Sequence, residues 1–149
     1  MTHVTARLAA HHKQCDADFV SGEEAVRQGD WAAGAVAFDR FRREAEAHFG
    51  AEEDVLFPAF ESTFGVSTGP TRMMRMEHIQ MRALFDQLAS ALAAKDGHGF
   101  LGTAETLLIM LQQHNLKEEN ILYPMCEQAL SGDASMSGAI ERALAASTV

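Results

Sequence analysis

The sequence is poor in residues that interrupt helices or cross-link small folds. Its 149 residues include only 3 prolines and 2 cysteines. Scarce proline permits long uninterrupted helices. Two cysteines cannot form the dense disulfide framework of small secreted proteins. We therefore expect Cys15 and Cys126 to be reduced thiols in or near the interior.

Two further absences narrow the class of protein. The sequence has no run of about 20 apolar residues, the length of a membrane span, and its first residues lack the apolar core of a signal peptide. We therefore expect a cytoplasmic protein without a membrane partner. The formal net charge of −9 also disfavours nucleic acid as a partner, because like charges repel.

Helical periodicity is present in four long segments that glycine and proline separate. They run from about Thr5 to Gln28, Trp31 to Phe60, Pro70 to Lys95 and Phe100 to Leu130. A loop over 62–69 precedes the third segment, and a weaker helix over 137–146 is expected on the outside. Short connections between long helices favour antiparallel neighbours. The sequence predicts an all-α fold, an up-down-up-down four-helix bundle with a short extra C-terminal helix, in a single domain over 1–149.

An 11-residue pattern occurs twice, near the ends of the second and fourth segments. Residues 48–58 read HFGAEEDVLFP, and residues 114–124 read HNLKEENILYP. Histidine, a pair of glutamates, leucine and proline stand at the same offsets in both copies. The repeat indicates two equivalent helices that present equivalent groups to one shared site.

Each copy carries a histidine and a glutamate four residues apart, and this spacing puts both side chains on one helix face. The pairs are His48 with Glu52, and His114 with Glu118. Their apolar companions indicate that both pairs point inward: Val36, Phe41, Ala45, Val55 and Leu56 for the first, and Leu107, Met110, Leu111 and Ile121 for the second. Burying a carboxylate costs several kcal/mol unless a cation compensates it. A pair of divalent metal ions would compensate both glutamates.

The other two segments each add a histidine. The third carries His78, and the first carries His11 and His12. The spacing of Leu8, His12, Cys15 and Phe19 puts His12 nearest the centre of the apolar stripe, so we favour it and keep His11 as the alternative. The predicted metal ligands are His12, His48, Glu52, His78, His114 and Glu118, with the glutamates as bridges. Imidazole and carboxylate together suit iron, manganese or zinc.

Other polar and sulfur-containing residues are expected outside the ligand set. Glu53 and Glu119 follow the bridging glutamates and point about a quarter turn away from them. His3 and His98 lie near segment ends and are expected in solvent. The methionines are expected to fill the core: Met73, Met74, Met76, Met81, Met110 and Met125.

These motifs resemble the hemerythrin-like family, also called HHE cation-binding domains, from about residue 12 to residue 124. The resemblance rests on the H-x-x-C-D segment at His12, EHIQMR around His78 and the two copies of the repeat. It implies a four-helix bundle around two iron ions, bridged by two carboxylates and an oxo or hydroxo group. By position, it implies the same six ligands.

Two positions depart from the oxygen-carrying hemerythrins. Those proteins place a second histidine four residues after the first on the third helix, and Arg82 stands there in this sequence. Arginine stays protonated and cannot bind a metal, so Arg82 is expected to pair with Asp86 or with a carboxylate near the site. The oxygen carriers also place an aspartate one residue later than Glu118. Both departures weaken the expectation of reversible oxygen carriage.

Three functions remain open from the sequence. The first is a di-iron protein that binds or senses dioxygen, nitric oxide or peroxide, or handles iron. The alternative is a di-iron oxidoreductase acting on hydrogen peroxide or nitric oxide, since open positions on adjacent metals permit redox chemistry. The third is a metal-free structural bundle, for which replacement of Glu52 by alanine would leave stability unchanged or raised.

Overall fold

A computed structural model describes residues 4–64, 69–130 and 133–145, and these are almost entirely helical. The helices are α1 (Ala6–Arg27), α2 (Trp31–Ala51), α3 (Phe57–Phe64), α4 (Pro70–Ala93), α5 (Gly97–Lys117), α6 (Tyr123–Leu130) and α7 (Ala134–Ala145). Two π-helical turns, π1 (Glu52–Leu56) and π2 (Glu118–Leu122), join α2 to α3 and α5 to α6 without a break. The four long helices of the bundle are therefore α1, α2–π1–α3, α4 and α5–π2–α6. The predicted all-α bundle is confirmed.

A capping aspartate shifts one predicted boundary. The Asp96 side chain accepts a hydrogen bond from the Gly99 N–H at 2.9 Å, which satisfies a free donor of the first helical turn. Helix α5 consequently begins at Gly97, three residues before the predicted Phe100. Pro70 is the first residue of α4, as predicted, where its missing N–H has no cost.

Some predicted boundaries fall partly on residues that are not described. Helix α3 continues to Phe64, so the first residues of the predicted loop over 62–69 are helical. Residues 65–68 of that loop lie outside the described part of the chain. So do His3 and Ala146, the predicted last residue of the C-terminal helix.

The apolar core has two parts with the polar site between them. One part contains Leu8, Leu56, Phe57 and Leu122, and the other contains Phe41, Phe85, Leu88 and Leu107. Along each long helix, the predicted ligands lie between residues of the first part and residues of the second. The site is therefore a polar layer sealed at both ends by packed apolar side chains.

Helix α7 closes one end of the bundle. Its Met136, Ile140 and Leu144 are buried and belong to the same core part as Leu8 and Leu56. The short extra C-terminal helix that the sequence predicts is therefore present, and it packs against the four long helices through three side chains, one per turn. No helix among the described residues is long and apolar enough to span a bilayer.

Several apolar residues predicted to face inward are exposed instead. They are Val36, Met73, Met76, Ile121 and Met125. On α4, Met73 is one residue before the buried Met74 and Met76 is two residues after it. Each residue turns the side chain by about 100° around the helix axis, so both point away from the core. Met74 and Met81 are buried as predicted, and Met110 is partly buried against the core.

Candidate metal centre

All six predicted ligands converge in the polar layer. His12, His48, Glu52 and Glu118 form one group that we call position 1. Glu52, His78, His114 and Glu118 form a second group that we call position 2. Within each group, one ligand atom from every residue lies within 4.8 Å of the others. Both glutamates belong to both groups, and both are fully buried.

The two π-helical turns begin at these shared glutamates. The Phe57 N–H bonds to the Glu52 carbonyl, and the Tyr123 N–H bonds to the Glu118 carbonyl, each across five residues. Such turns are rare and occur often at functional sites. Each brings the residue five places after its glutamate into line with it. Neither turn is predicted from the sequence, although the repeat indicates that any irregularity would occur twice.

Tyr123 is a site residue that sequence reasoning missed. Its hydroxyl donates to Glu52 Oε2 at 2.6 Å and lies 3.2 Å from Glu118 Oε1. It also lies 3.2 Å from His48 Nε2 and 3.4 Å from His12 Nε2. All four atoms belong to position 1. The signal was available, because Tyr123 is the only tyrosine of the chain and replaces the phenylalanine of the other copy of the repeat.

Among the described residues, no hydroxyl makes a comparable set of contacts at position 2, and four of its atoms have no hydrogen-bond partner. Glu52 Oε1, His78 Nε2, His114 Nε2 and Glu118 Oε2 are buried without a hydrogen-bond partner among the described residues. Two pairs of them lie close, His78 with Glu52 at 3.1 Å and His114 with Glu118 at 3.2 Å, but without hydrogen-bond directionality. Each unpaired buried polar atom costs about 1–3 kcal/mol. Two nitrogens and two oxygens that converge in this way fit a metal ion as their common partner.

Carboxylates lie behind three of the four histidines. The Nδ1 atom is 3.1 Å from Glu119 in His12, 2.7 Å from Glu53 in His78 and 2.8 Å from Glu77 in His114. Such contacts orient the ring and leave Nε2 directed at the centre. Glu53 and Glu119 thus lie outside both groups, as expected. Glu77, which also pairs with Lys117, was not foreseen, because its contact with His114 joins two different helices.

His11 and His12 have different surroundings, although they are adjacent in α1. His12 belongs to position 1, with its Nε2 3.1 Å from Glu118 Oε1. His11 belongs to neither group. Its Nδ1 lies 2.9 Å from His48 Nδ1, and its Nε2 lies 2.6 Å from Glu44 Oε2. The alternative ligand therefore lies behind a predicted ligand, and Glu44 is a further residue that the sequence did not reveal.

Arg82 binds a carboxylate next to the site rather than Asp86. Its guanidinium donates to both oxygens of Glu53, at 2.8 and 3.1 Å, and to Glu46 at 2.7 Å. It also lies over the Phe49 ring, 5.1 Å from the centroid. Asp86 is paired with Arg42. Of the two expected arrangements for Arg82, the structure has the one with a carboxylate near the site.

The protonation of the centre reflects these contacts. Burial acts to raise the pKa of Glu52, but the neighbouring imidazoles of His48 and His78 hold it well below its ordinary value. Burial acts to lower the pKa of His78, yet the neighbouring carboxylates of Glu52 and Glu53 raise it to about 9. The pKa of Glu53 falls to about 2, because bonds from His78 and Arg82 outweigh burial. A metal at position 2 would therefore have to displace a proton from His78.

The remaining histidine and both cysteines lie outside the two groups. His98 is exposed, as expected. Cys15 and Cys126 are free and buried, also as expected. Burial raises the pKa of the Cys126 thiol to about 12 and raises that of Cys15 as well. Un-ionised thiols are poor metal ligands.

Comparison with known proteins agrees with this geometry. The profile of the hemerythrin HHE cation-binding domain matches residues 3–126. No curated protein and no solved structure gave a match. Because the profile covers most of the chain and includes every residue of both positions, the chain belongs to the hemerythrin HHE cation-binding domain family.

Proposed function

We propose that this protein holds two iron ions at positions 1 and 2 and uses them to bind or sense dioxygen, nitric oxide or peroxide, or to handle iron. The observation that carries the proposal is the division of each glutamate between the two positions. Glu52 directs Oε2 at Tyr123 and Oε1 at His78. Glu118 directs Oε1 at His12 and Oε2 at His114. Two carboxylates that each face both positions suit a pair of bridged metals.

The buried negative charge of the polar layer favours metal cations, rather than further hydrogen bonds, as its compensation. Two fully buried carboxylates are costly without compensation, and Arg82 is occupied by Glu53 and Glu46. Two histidine nitrogens at each position complete a donor set that suits iron, manganese or zinc. Iron is the choice that the HHE family supports, and an oxo or hydroxo group would be the third bridge.

Each position would have two nitrogens and two shared oxygens from protein, which leaves room for a small exogenous ligand. When bound, the iron pair supplies redox chemistry and affinity for diatomic molecules. The protein's own contribution differs between the positions. At position 1, the Tyr123 hydroxyl donates its one hydrogen to Glu52 in the metal-free protein, and it could donate that hydrogen to such a ligand once a metal binds Glu52. At position 2, Phe49 stacks on His78 with ring centroids 4.0 Å apart and keeps the surroundings apolar.

A surface cleft supports access for a small molecule. It lies between the start of α1 and helix α6, and its lining includes Thr5, Ala9, Glu119 and Tyr123. Tyr123 is therefore a residue that the cleft shares with the surroundings of position 1.

The second candidate is an oxidoreductase that acts on hydrogen peroxide or nitric oxide. Tyr123 favours it, because a hydroxyl beside open metal positions can supply a hydrogen bond to a reacting oxygen atom. Reduced protein mixed rapidly with dioxygen, peroxide or nitric oxide separates the candidates. Stable reversible adducts support binding, and repeated turnover of peroxide or nitric oxide supports catalysis.

Metal analysis tests the proposal itself. Protein loaded with ferrous iron without oxygen is expected to retain two irons per chain and to develop near-ultraviolet absorption in air. Replacing Glu52 by glutamine removes a bridge that both positions share, so both irons should be lost. Glu46→Gln is the matched control, since Glu46 contacts Arg82 but neither position. No stoichiometric iron in the wild type, or two tightly held irons in Glu52→Gln, would contradict the proposal.

A further inference from the structure

His48 differs from the other three histidines of the centre in the group behind it. His12, His78 and His114 each have a carboxylate oxygen within 3.1 Å of Nδ1. His48 instead has the Nδ1 of His11, at 2.9 Å. The carboxylate of Glu44 comes one step later, 2.6 Å from His11 Nε2. The chain of contacts is therefore Glu44, His11, His48 and position 1.

We propose that His11 and Glu44 are positioning residues that hold His48 in the tautomer with its hydrogen on Nδ1, so that Nε2 is free to bind a metal. Their effect is expected on the metal of position 1 alone. This inference rests on the proposed function, because it gives a role to residues next to that centre. Both are buried, with His11 only 1% exposed. Neither belongs to position 1 or position 2.

Hydrogen-bonding rules assign each ring hydrogen in this series of contacts from Glu44 to His48. A carboxylate only accepts, so Glu44 requires the hydrogen of His11 on Nε2. A neutral His11 then has a bare Nδ1, which accepts from a hydrogen on His48 Nδ1. His48 Nε2 is left without a hydrogen, directed at Tyr123 and Glu52. That is the only neutral form of His48 able to bind a metal through this nitrogen.

The opposite arrangement would close position 1 to a metal. If His11 carried hydrogens on both nitrogens, His48 Nδ1 would have to accept, and a neutral His48 would carry its hydrogen on Nε2. That hydrogen would point at the place where a metal should bind. Cys15 does not compete strongly for His11 Nδ1, because its sulfur is 3.8 Å away. The nearly parallel His11 and His48 rings, 6° apart in plane, keep the two nitrogens facing each other.

The imidazole of His11, which lies between Glu44 and His48, also makes the hydrogen bonding behind position 1 different from that behind position 2. Hydrogen bonds to an ionised acceptor are roughly twice as strong as neutral ones. His48 donates to a neutral ring, whereas His78 and His114 face Glu53 and Glu77 directly. The imidazole of His48 is therefore less polarised as a metal ligand than those of His78 and His114, because the charge of Glu44 acts on it only through His11. Removing either member of the pair should weaken position 1 and leave position 2 intact.

Nuclear magnetic resonance of the zinc-loaded protein tests the proton assignment directly. Zinc is diamagnetic, and ¹⁵N-labelled histidine side chains report which ring nitrogen carries the hydrogen. His11 is expected to be protonated on Nε2, whereas His12, His48, His78 and His114 are protonated on Nδ1. A hydrogen on His11 Nδ1, with or without one on Nε2, would overturn the inference. A purely structural role for His11 would not require this opposite tautomer.

Zinc competition with a chelator tests the effect on affinity. His11→Phe and Glu44→Gln should each weaken one of two zinc ions by about 10- to 100-fold, the usual effect of losing such a partner. The second zinc should be unaffected. The matched control is Glu77→Gln, which removes the partner of His114 and should weaken position 2 instead. The histidine spectra identify which position empties first in each variant.

The outcomes separate this inference from the function on which it rests. A wild type that binds no metal contradicts the proposed function. A wild type that binds two zinc ions, with both held as tightly in His11→Phe and Glu44→Gln, contradicts only the role of His11 and Glu44. Should His11→Phe fail to fold, Glu44→Gln and the tautomer of His11 in the wild type decide the question.

Discussion

Tyr123 donates its hydroxyl hydrogen to Glu52 across 2.6 Å and so joins the two copies of the internal repeat. The glutamate comes from the first copy and the tyrosine from the second. At the equivalent place near position 2, the first copy supplies Phe57. The centroid of its ring lies 6.0 Å from that of the His78 ring. A sequence repeat that looks symmetric therefore produces a centre with one polar and one apolar side.

Replacing Tyr123 by phenylalanine tests this asymmetry. In the metal-free protein, the change removes a partner from buried atoms of Glu52, Glu118, His12 and His48. We expect the free energy of unfolding to fall by about 1–3 kcal/mol. The loss should be smaller in the zinc-loaded protein, because the metal then satisfies the same atoms. Urea unfolding of both forms measures the difference, and an equal or larger loss in the loaded form would contradict it.

Much of this centre could be predicted from the sequence, because regular helices fix which residues share a face. The spacing of four between His48 and Glu52, repeated at His114 and Glu118, was sufficient to place both pairs in the interior. His12, favoured over His11 from the apolar stripe of α1 alone, is the one of the two that belongs to position 1. These inferences needed only local geometry and the cost of burying charge.

The rest depended on contacts between helices or on departures from regular geometry. Glu77 lies behind His114, and Glu44 lies behind His11, across different helices in both cases. Spacing along one helix carries no information about such pairs. The π-helical turns also shift the register after each shared glutamate. For this reason Ile121, expected inside, is exposed, and the next residue, Leu122, is buried.

The ion pairs next to position 2 give the metal-free protein a defined dependence on pH. The pKa of Glu53 drops from 4.5 to about 2, so its stabilising contribution is complete above pH 4.5 and is lost as the pH falls towards 2. The pKa of His78 rises from 6.5 to about 9, so its contribution is complete below pH 6.5 and is lost as the pH rises through 9. The two shifts share the contact between His78 and Glu53 and are therefore not added, although Glu52 also raises the pKa of His78 and Arg82 also lowers that of Glu53.

We therefore expect the contribution of this pair to be greatest between about pH 4.5 and 6.5, on the order of 1–2 kcal/mol once solvent screening of the partly exposed Glu53 is allowed for. Chemical denaturation of the metal-free protein across the pH range measures it. Glu53→Gln removes the charge with little change in shape; it should flatten the acid limb of the profile and reduce the alkaline limb, part of which Glu52 maintains. The same profile in wild type and Glu53→Gln would show that the pair does not determine the pH dependence.

Arg82 is expected to stabilise the fold without binding metal. Arg82→Gln leaves the partly buried Glu53 without its bidentate partner, and we expect a loss of about 1–3 kcal/mol in the free energy of unfolding. The number of metal ions per chain should stay the same, since Arg82 belongs to neither position. Arg42→Gln is the control, because Arg42 pairs with the exposed Asp86 and such pairs contribute about 0–1 kcal/mol. Loss of a metal ion in Arg82→Gln alone would contradict this division of roles.

The π-helical turn after Glu118 can be tested with two neighbouring apolar residues. Leu122 is 1% exposed and Ile121 is 55% exposed. Leu122→Ala should therefore cost about 2–5 kcal/mol of unfolding free energy, as for other large-to-small changes in a core. Ile121→Ala should change it by no more than about 0.5 kcal/mol. In a regular α-helix, both residues would flank the face that carries Glu118 and both changes would be costly. Similar costs for the two variants, measured by urea unfolding, would therefore indicate an uninterrupted α-helix at this point.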